Sequence, residues 1–379
     1  MPAVRAIVAS ATLLAFAAAA ALLPGCTEKP TTMAAPVPVE LPGLHEAGLH
    51  QDWTRSVHLE PGERIKKAWH VGGSIYVATT SSRIIRIDAK TGLLVWSNGL
   101  GPENFDIFKP IELKDAAGGP VRNVLVVTRG EAFVFDMETG DESQPPAQMG
   151  MSVSTDPILI GNTLGVGAAD GFYGLYFDQL KLKHWRLPAV GDLFDSAPVA
   201  VDSNILLASR SGKLWRINAD NGDWDWKDRK TNGEVVAGLA ADFGALYVPS
   251  LDQRVYAFDA ATGGELWEQQ LAGRLETTPV IAGSNLLVIS SEQGMYALAK
   301  DTGEVKWHVP EISSVATVSD DTVWVGDTMG NIKLLNVSDG AQRAYAAVPG
   351  VQFFINNTLD KRVFIVGQGG VIAAYSENR

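Results

Sequence analysis

The sequence predicts an all-β fold in which one four-stranded unit repeats along the chain, and three observations predict it. Trp185, Trp226, Trp267 and Trp307 follow one another at nearly equal intervals. A phrase of the type Asp-x-x-Thr-Gly-x-x-x-Trp recurs with the same period, and proline opens an apolar stretch in several of the repeats. A period of about 40 residues is the length of one antiparallel blade with its turns, so these observations together predict a β-propeller.

Residues 1–25 are predicted to be a secretory signal peptide and not part of the fold. Arg5 precedes an uncharged apolar stretch that extends from residue 6 to residue 23, as in export signals. Gly25 and Cys26 then resemble the bacterial lipoprotein cleavage site, where the cysteine is lipidated and becomes the new N-terminus. Cys26 is the only cysteine of the chain, so it has no disulfide partner there, and lipidation explains it better than a chance occurrence does.

Residues 26–50 are predicted to be a flexible tether, because they are rich in Pro, Thr and Ala and include the run Pro36-Val37-Pro38-Val39. Thr27 stands where inner-membrane lipoproteins of Gram-negative bacteria usually carry aspartate. By resemblance to that sorting rule, we expect a lipid anchor in the outer membrane and a domain that faces the periplasm. The folded domain is predicted to cover residues 51–379.

The repeated phrase predicts a strand, a tight turn and a second strand. Its clearest copy, from Asp259 to Trp267, follows the alternating run Arg254-Val255-Tyr256-Ala257-Phe258. Alternation is typical of a half-buried strand, and Thr-Gly between two such runs indicates a hairpin turn with positive φ. The tryptophan therefore lies on the last strand of a blade. Proline marks the first strands, where no ladder donor is needed; these prolines are Pro110, Pro157, Pro198 and Pro279.

The last strands of seven blades can be counted directly. They lie at or near Trp96, Gln144, Trp185, Trp226, Trp267, Trp307 and Ala344. The chain then continues into a hairpin, residues 363–375, that lacks a closing phrase, whereas residues 52–57 resemble a last strand with no blade before it. We therefore predict that the N-terminal strand completes an eighth blade and closes the ring, which leaves no unpaired sheet edge.

The titratable residues predict neither a metal site nor a nucleic-acid surface. The six histidines are scattered, with no pair at the close spacing of a zinc site, and residues 218–229 lack the final glutamate of a calcium loop. The chain carries 43 Asp and Glu residues against 31 Lys and Arg residues, a net charge of −12, which disfavours contacts with phosphates. No nucleophile-elbow motif or phosphate-binding glycine loop occurs, so we expect no enzyme and no cofactor.

The phrase and the count of eight blades resemble the quinoprotein-type, or PQQ-like, propeller repeat over residues 51–379. In that family the tryptophan docks against the neighbouring blade, which implies a structural role for Trp53, Trp96, Trp185, Trp226, Trp267 and Trp307. One branch of the family contains quinoprotein dehydrogenases, which are longer and use a calcium site and often a vicinal disulfide that a single cysteine cannot form. The other branch is the BamB family, whose lipidated propellers are non-catalytic scaffolds in outer-membrane β-barrel assembly.

Length, blade count and the predicted anchor favour the BamB branch. The resemblance implies a monomeric scaffold whose partners are envelope proteins, with the barrel-assembly machinery as the specific expectation. Two alternatives stay open. One is a scaffold for a different envelope complex, and the other is a propeller that binds a quinone or another ligand in a redox or sensory role.

The resemblance also places a partner-binding loop shortly before a Ser-Ala-Pro strand start, here Ser196-Ala197-Pro198. The family carries leucines and an arginine in this loop, whereas no arginine lies between Pro188 and Ser196 in this chain. An exposed aromatic residue often anchors a partner, so Phe194 either serves as that anchor or packs beneath the loop. The candidate partner-binding residues are Leu187, Leu193, Phe194 and Asp195.

Overall fold

The computed structural model describes residues 42–377, except residues 103–104, 115–118, 181, 227 and 243. The predicted signal peptide of residues 1–25, the lipidation residue Cys26 and the tether up to residue 41 lie outside the described residues. The described part of the chain forms eight four-stranded antiparallel sheets and a short α-helix, α1 (Pro42–Glu46). The prediction of an all-β, eight-bladed propeller is therefore confirmed. Over the same residues, no helix has the length and apolar character needed to span a membrane.

Each blade is an antiparallel meander. Blade 1 is the first blade whose four strands are consecutive in the chain. Strand β1 (Leu49–Ser56) precedes blade 1. Blade 1 contains β2 (Ile65–Val71), β3 (Ser74–Thr79), β4 (Arg83–Asp88) and β5 (Leu94–Gly99). Blade 2 contains β6 (Ile111–Lys114), β7 (Val121–Val127), β8 (Glu131–Asp136) and β9 (Glu142–Gln148). Blade 3 contains β10 (Ile158–Ile160), β11 (Thr163–Ala168), β12 (Gly171–Tyr176) and β13 (Lys183–Pro188). Blade 4 contains β14 (Val199–Val201), β15 (Asn204–Ala208), β16 (Lys213–Asn218) and β17 (Arg229–Lys230).

The second half of the ring repeats this arrangement. Blade 5 contains β18 (Ala240–Asp242), β19 (Ala245–Pro249), β20 (Arg254–Asp259) and β21 (Glu265–Gln270). Blade 6 contains β22 (Val280–Ala282), β23 (Asn285–Ser290), β24 (Gly294–Ala299) and β25 (Val305–Val309). Blade 7 contains β26 (Ile312–Val318), β27 (Thr322–Asp327), β28 (Ile332–Asn336) and β29 (Gln342–Ala346). Blade 8 contains β30 (Val351–Ile355), β31 (Val363–Gly367) and β32 (Val371–Glu377).

Strand β1 completes blade 8 as its outermost strand. It pairs antiparallel with β32, from Leu49 opposite Glu377 to Ser56 opposite Val371. The two ends of the described chain therefore share one sheet, and the ring closes as the sequence predicts.

The hydrophobic core lies between neighbouring blades rather than at one centre. All six residues of β3 and all six of β23 are buried, since the middle strands of a blade are covered on both faces. One core cluster joins Ile75 and Val77 of blade 1 to Phe364 and Ile372 of blade 8. We call the contact between two neighbouring blades a seam. Burial of apolar surface contributes about 25 cal/mol per Å², so each seam contributes to the stability of the ring.

In six seams of the described ring, a tryptophan of one blade covers a turn glycine of the next. Five of these tryptophans lie on the outermost strand of their blade, and Trp226 lies three residues before β17. Each indole nitrogen donates a hydrogen bond to a backbone carbonyl of the next blade, at 2.8 to 3.2 Å. Each glycine has φ between 68° and 75°, and an added Cβ would collide with the indole. We call these the docking seams. Their pairs are Trp53 with Gly92, Trp96 with Gly140, Trp185 with Gly222, Trp226 with Gly263, Trp267 with Gly303 and Trp307 with Gly340.

The seam between blades 2 and 3 lacks both partners of that contact. Gln144 occupies the position of the tryptophan, opposite Val134, and it is exposed. The facing turn of blade 3 is a 3-10 helix (Phe177–Gln179) followed by Leu180 with φ −52°. Leu180 is 4% exposed and belongs to the core cluster that blades 2 and 3 share. A leucine side chain thus fills this seam where the tryptophan ring is absent.

The seam between blades 7 and 8 also lacks the tryptophan, because Ala344 stands at its position opposite Leu334. Helix α1 fills this seam instead, since Leu44 is fully buried in a cluster with Ala346 and residues of blade 8. The folded domain therefore includes residues from Pro42 onward. The predicted end of the tether at residue 50 is too late, because Leu44 is already buried in this seam.

Candidate partner-binding face

The loop predicted to bind a partner connects β13 of blade 3 to β14 of blade 4 and covers residues 189–198. It lies on the face of the ring that also carries the turns between second and third strands, which we call the loop face. The Ala189 N–H donates to the Asp170 carbonyl at 3.1 Å, and the Arg210 N–H donates to the Leu193 carbonyl at 2.8 Å. Both bonds join the loop to such turns, so its backbone is held between blades 3 and 4.

Phe194 packs beneath this loop and is not an exposed anchor. Its side chain is 1% exposed, with its ring centroid 5.8 Å from that of Phe172 and 5.3 Å from that of Trp215. Leu187, on β13, is 3% exposed and belongs to the same cluster. Of the two alternatives for Phe194, the structure shows the core position, because the loop turns this aromatic ring into the seam between blades 3 and 4.

Val190 is the large apolar residue that the loop does expose, with 85% of its surface accessible. Leu193 is half-buried. Val190 is not among the residues predicted from the sequence to bind a partner. The available signal was the glycine that follows it, since Gly191 has φ 68° and a glycine of this kind marks the tip of a turn.

Asp195 has an arginine beside it, although that arginine is distant in sequence. Arg210, in the turn between β15 and β16, forms an ion pair with Asp195 and lies 4.0 Å from Glu234. The hydrogen bond with Asp195 raises the pKa of Arg210. The Arg210 side chain remains 44% exposed, so a cation is available to a partner at the position where the loop sequence has none.

Asp192 fastens the loop to the same turn. Its carboxylate accepts hydrogen bonds from the Leu193 N–H at 2.9 Å, from the Ser211 N–H at 3.0 Å and from the Ser211 hydroxyl. Burial alone would raise the pKa of Asp192, but hydrogen bonds from Ser209 and Ser211 outweigh it and lower this pKa. The loop is therefore ordered before any partner binds, which reduces the entropic cost of association.

The loop face continues over blades 5 and 6 with arginines that each have two carboxylate neighbours. Arg274 lies 3.6 Å from Glu276 and 3.8 Å from Glu292, and Arg254 is flanked by carboxylates in the same way. Exposed ion pairs of this kind contribute about 0–1 kcal/mol each to stability. Two carboxylates per arginine leave this sector with a local excess of negative charge.

A cavity of about 750 Å³ lies at the centre of the ring and is lined by residues of all eight blades. Its wall includes Trp69, Lys109 and Asp156, and also His70, whose Nδ1 lies 2.7 Å from Asn357 Oδ1. Within the described ranges, no group of three or more His, Cys, Asp or Glu side chains could hold a metal ion.

A family model described as outer membrane protein assembly factor BamB matches residues 44–175 and 229–378. Curated proteins with that name are similar over shorter stretches. The one from Bordetella pertussis is 27% identical over 226 residues, which cover 57% of this chain and 53% of the relative. The one from Burkholderia pseudomallei is 26% identical over 159 residues, which cover 40% of this chain and 41% of the relative. The candidate loop and Arg210 lie in the interval between the two segments that the family model matches.

Two solved structures share the fold. BamB from Moraxella catarrhalis aligns with a TM-score of 0.67 and 17% identity, covering 86% of this chain and 97% of that chain. The computationally designed Ika8 protein aligns with a TM-score of 0.64 and 16% identity, covering 82% of this chain and 96% of that chain. At these identities the likeness shows the fold alone, and a designed protein shares that fold nearly as closely as a natural one.

Proposed function

Because the chain belongs to the family of outer membrane protein assembly factor BamB, we propose that it is a non-catalytic scaffold that binds envelope proteins, specifically the barrel-assembly machinery. The family match covers most of the ring, which makes protein–protein interaction the function with the broadest support. A monomeric propeller is sufficient for this role, since β1 completes blade 8 and the ring closes within one chain.

We further propose that Cys26 carries a lipid after removal of residues 1–25, and that the propeller faces the periplasm from the outer membrane. This proposal is based on the sequence, since both segments lie outside the described residues. Mass spectrometry of the mature N-terminus tests it, with a diacylated or triacylated Cys26 as the expected species. Cys26→Ser should abolish the acylated species and leave residues 1–25 uncleaved, and an unmodified Cys26 in the wild-type protein would overturn the anchor.

The observation that carries the scaffold proposal is the ordered loop of residues 189–198. It presents exposed Val190 and half-buried Leu193 beside the Asp195–Arg210 ion pair. An apolar contact next to an exposed guanidinium is a combination typical of interface centres. The loop also lies in the part of the chain that the family model does not match, so we place partner selection there.

The test is a crosslinked pull-down of the native protein from whole membranes, with partners identified by mass spectrometry. Val190→Asp and Arg210→Glu should each reduce recovery of barrel-assembly components at least tenfold, because they alter the two exposed groups of the loop. Met329→Asp is the matched control. Met329 is 83% exposed and lies on the same face in blade 7, so this variant should leave recovery unchanged.

Each other outcome overturns part of the proposal. Recovery of a different envelope complex that is sensitive to Val190→Asp would keep the scaffold and reject the barrel-assembly partner. An equal loss with Met329→Asp would reject the loop as the specific contact.

The central cavity supports a second candidate, a ligand-binding propeller, because about 750 Å³ is the size of a small-molecule site. Failure to recover any partner, together with a small molecule that copurifies with the protein, would favour this candidate over the scaffold.

A further inference from the structure

A groove of about 190 Å³ lies on blade 8, beside the connection that leads from blade 7 to blade 8. Its lining is mainly apolar, with side chains from the connection between the two blades and from the strands of blade 8. The apolar lining residues on which the proposal depends are Val348, Val351, Ile365, Ala373 and Tyr375. A cavity of about 150 Å³ holds a benzene molecule, so this groove has room for one or two branched apolar side chains.

The groove shares residues with the apolar cluster against which helix α1 packs. Leu44 is fully buried in a cluster that contains Val348, Ile365, Ala373 and Tyr375, the same residues that line the groove. One residue earlier, an ideal Cβ built on Gly43 would lie 3.8 Å from Ala346 Cβ. The N-terminal end of the helix thus lies beside the last residues of β29, which lead directly to Val348. The described chain therefore begins at the seam between blades 7 and 8, and residues 36–41 are the segment joined directly to that beginning.

The preceding segment has the composition that this groove requires. Residues 36–41 read Pro-Val-Pro-Val-Glu-Leu, so five of the six are apolar. Proline restricts φ to about −65° and favours an extended polyproline II conformation, which loses little entropy when it docks in an apolar groove.

The covalent connection of residues 36–41 to helix α1 favours this segment over another molecule as the occupant of the groove. A segment joined to its site by a short linker has an effective concentration in the millimolar range. A partner in trans would have to overcome this advantage. We propose that residues 36–41 occupy the groove, so that the free part of the tether ends before Pro36.

A disulfide-trapping experiment tests this proposal in the full-length mature chain. Cys26→Ser removes the native cysteine, and Val39→Cys is combined with Val351→Cys in the groove. The control combines Val39→Cys with Arg343→Cys, an exposed position on β29 outside the groove. The groove pair should form an intramolecular disulfide at least ten times faster than the control pair. Equal rates would overturn the proposal, and disulfide-linked dimers would place a second copy of the chain in the groove instead.

Hydrogen exchange provides a second readout that needs no engineered cysteine. Val37→Asp combined with Val39→Asp should increase amide exchange at residues 348–351 at least tenfold, because the groove opens to solvent. Thr31→Asp combined with Thr32→Asp adds the same two charges to the preceding part of the tether and should leave exchange at residues 348–351 unchanged. Equal exchange in both double variants would show that the segment does not cover the groove.

Discussion

The six docking seams and the two seams without a tryptophan hold the same ring together by different means. In a docking seam, a rigid indole covers a turn glycine and donates a hydrogen bond to the next blade. Between blades 2 and 3, an aliphatic side chain, Leu180, occupies the interior of the seam. Between blades 7 and 8, a separate helix supplies Leu44 for the same purpose.

Between blades 2 and 3, the tryptophan and the facing glycine are both absent, which indicates that the two residues depend on each other. Where the indole is present, the facing residue is a glycine with positive φ, because a Cβ would collide with the ring. Where the indole is absent between blades 2 and 3, the facing turn has no such glycine and contributes a leucine instead. A seam therefore needs a filled volume, and two different residue combinations provide it.

Removal of a docking indole should have the largest effect. Trp267→Ala loses a buried ring and the hydrogen bond to the Lys300 carbonyl, so the free energy of unfolding should fall by about 3–5 kcal/mol. Urea denaturation followed by circular dichroism measures this change. Trp224→Ala is the control, because Trp224 is 46% exposed, and it should change stability by less than about 0.5 kcal/mol. Similar losses for the two variants would contradict the docking role.

The leucine that replaces the indole should be nearly as important. Leu180→Ala should lower the free energy of unfolding by about 2–5 kcal/mol, since it leaves a cavity between blades 2 and 3. Leu182→Ala makes the same substitution two residues away, where the side chain is 49% exposed, and should change stability by less than about 0.5 kcal/mol. If Leu180→Ala were as mild as its control, seam filling would not explain the loss of the tryptophan.

The seam between blades 8 and 1 adds an ionic contact to its docking tryptophan. Glu63, in the loop that crosses this seam, pairs with Arg83 at 2.6 Å, and its side chain is 2% exposed. Burial alone would raise the pKa of Glu63, but hydrogen bonds from Arg83 and Ser81 outweigh it and lower this pKa from 4.5 to about 2.

Because the pKa of Glu63 is lower in the folded state, its contribution to stability is present above pH 4.5 and is lost as the pH falls toward 2. At about 1.4 kcal/mol per pKa unit, the loss amounts to about 3 kcal/mol. Acid denaturation curves of the wild type and of Glu63→Gln should therefore converge in this range. Parallel curves would show that Glu63 is not the titrating group.

The smallest effect concerns the fit between glycine and indole. Gly263→Ala and Gly283→Ala both place alanine at positive φ, 68° and 59°, which costs about 1–2 kcal/mol in each case. Only Gly263 faces an indole, and an added Cβ would lie 2.8 Å from Trp226 Cδ2. Gly263→Ala should therefore be less stable than Gly283→Ala by about 1–3 kcal/mol, as measured by urea denaturation. Equal stabilities would mean that the turn conformation alone explains the glycine.

Much of the fold could be predicted from the sequence, but less of the candidate site. The loop of residues 189–198 was located from the Ser-Ala-Pro strand start, whereas the exposure of its residues was not. Phe194 and Val190 are both apolar loop residues, yet one is 1% and the other 85% exposed. Gly191 marks Val190 as the tip of a turn, but no local pattern shows that Phe194 is buried, since its burial depends on the blades that lie beneath the loop.

The sequence by itself determined the strand pattern, the blade count and the closure of the ring, because alternation, turn glycines and a period of about 40 residues are local properties of the chain. Only the tertiary structure placed Arg210 beside Asp195 and seated Leu44 in the seam between blades 7 and 8. The first contact joins the connection between blades 3 and 4 to a turn within blade 4, and the second joins the chain before the first blade to blades 7 and 8. Their geometry depends on how neighbouring blades pack, and a pattern read along one strand does not contain that information.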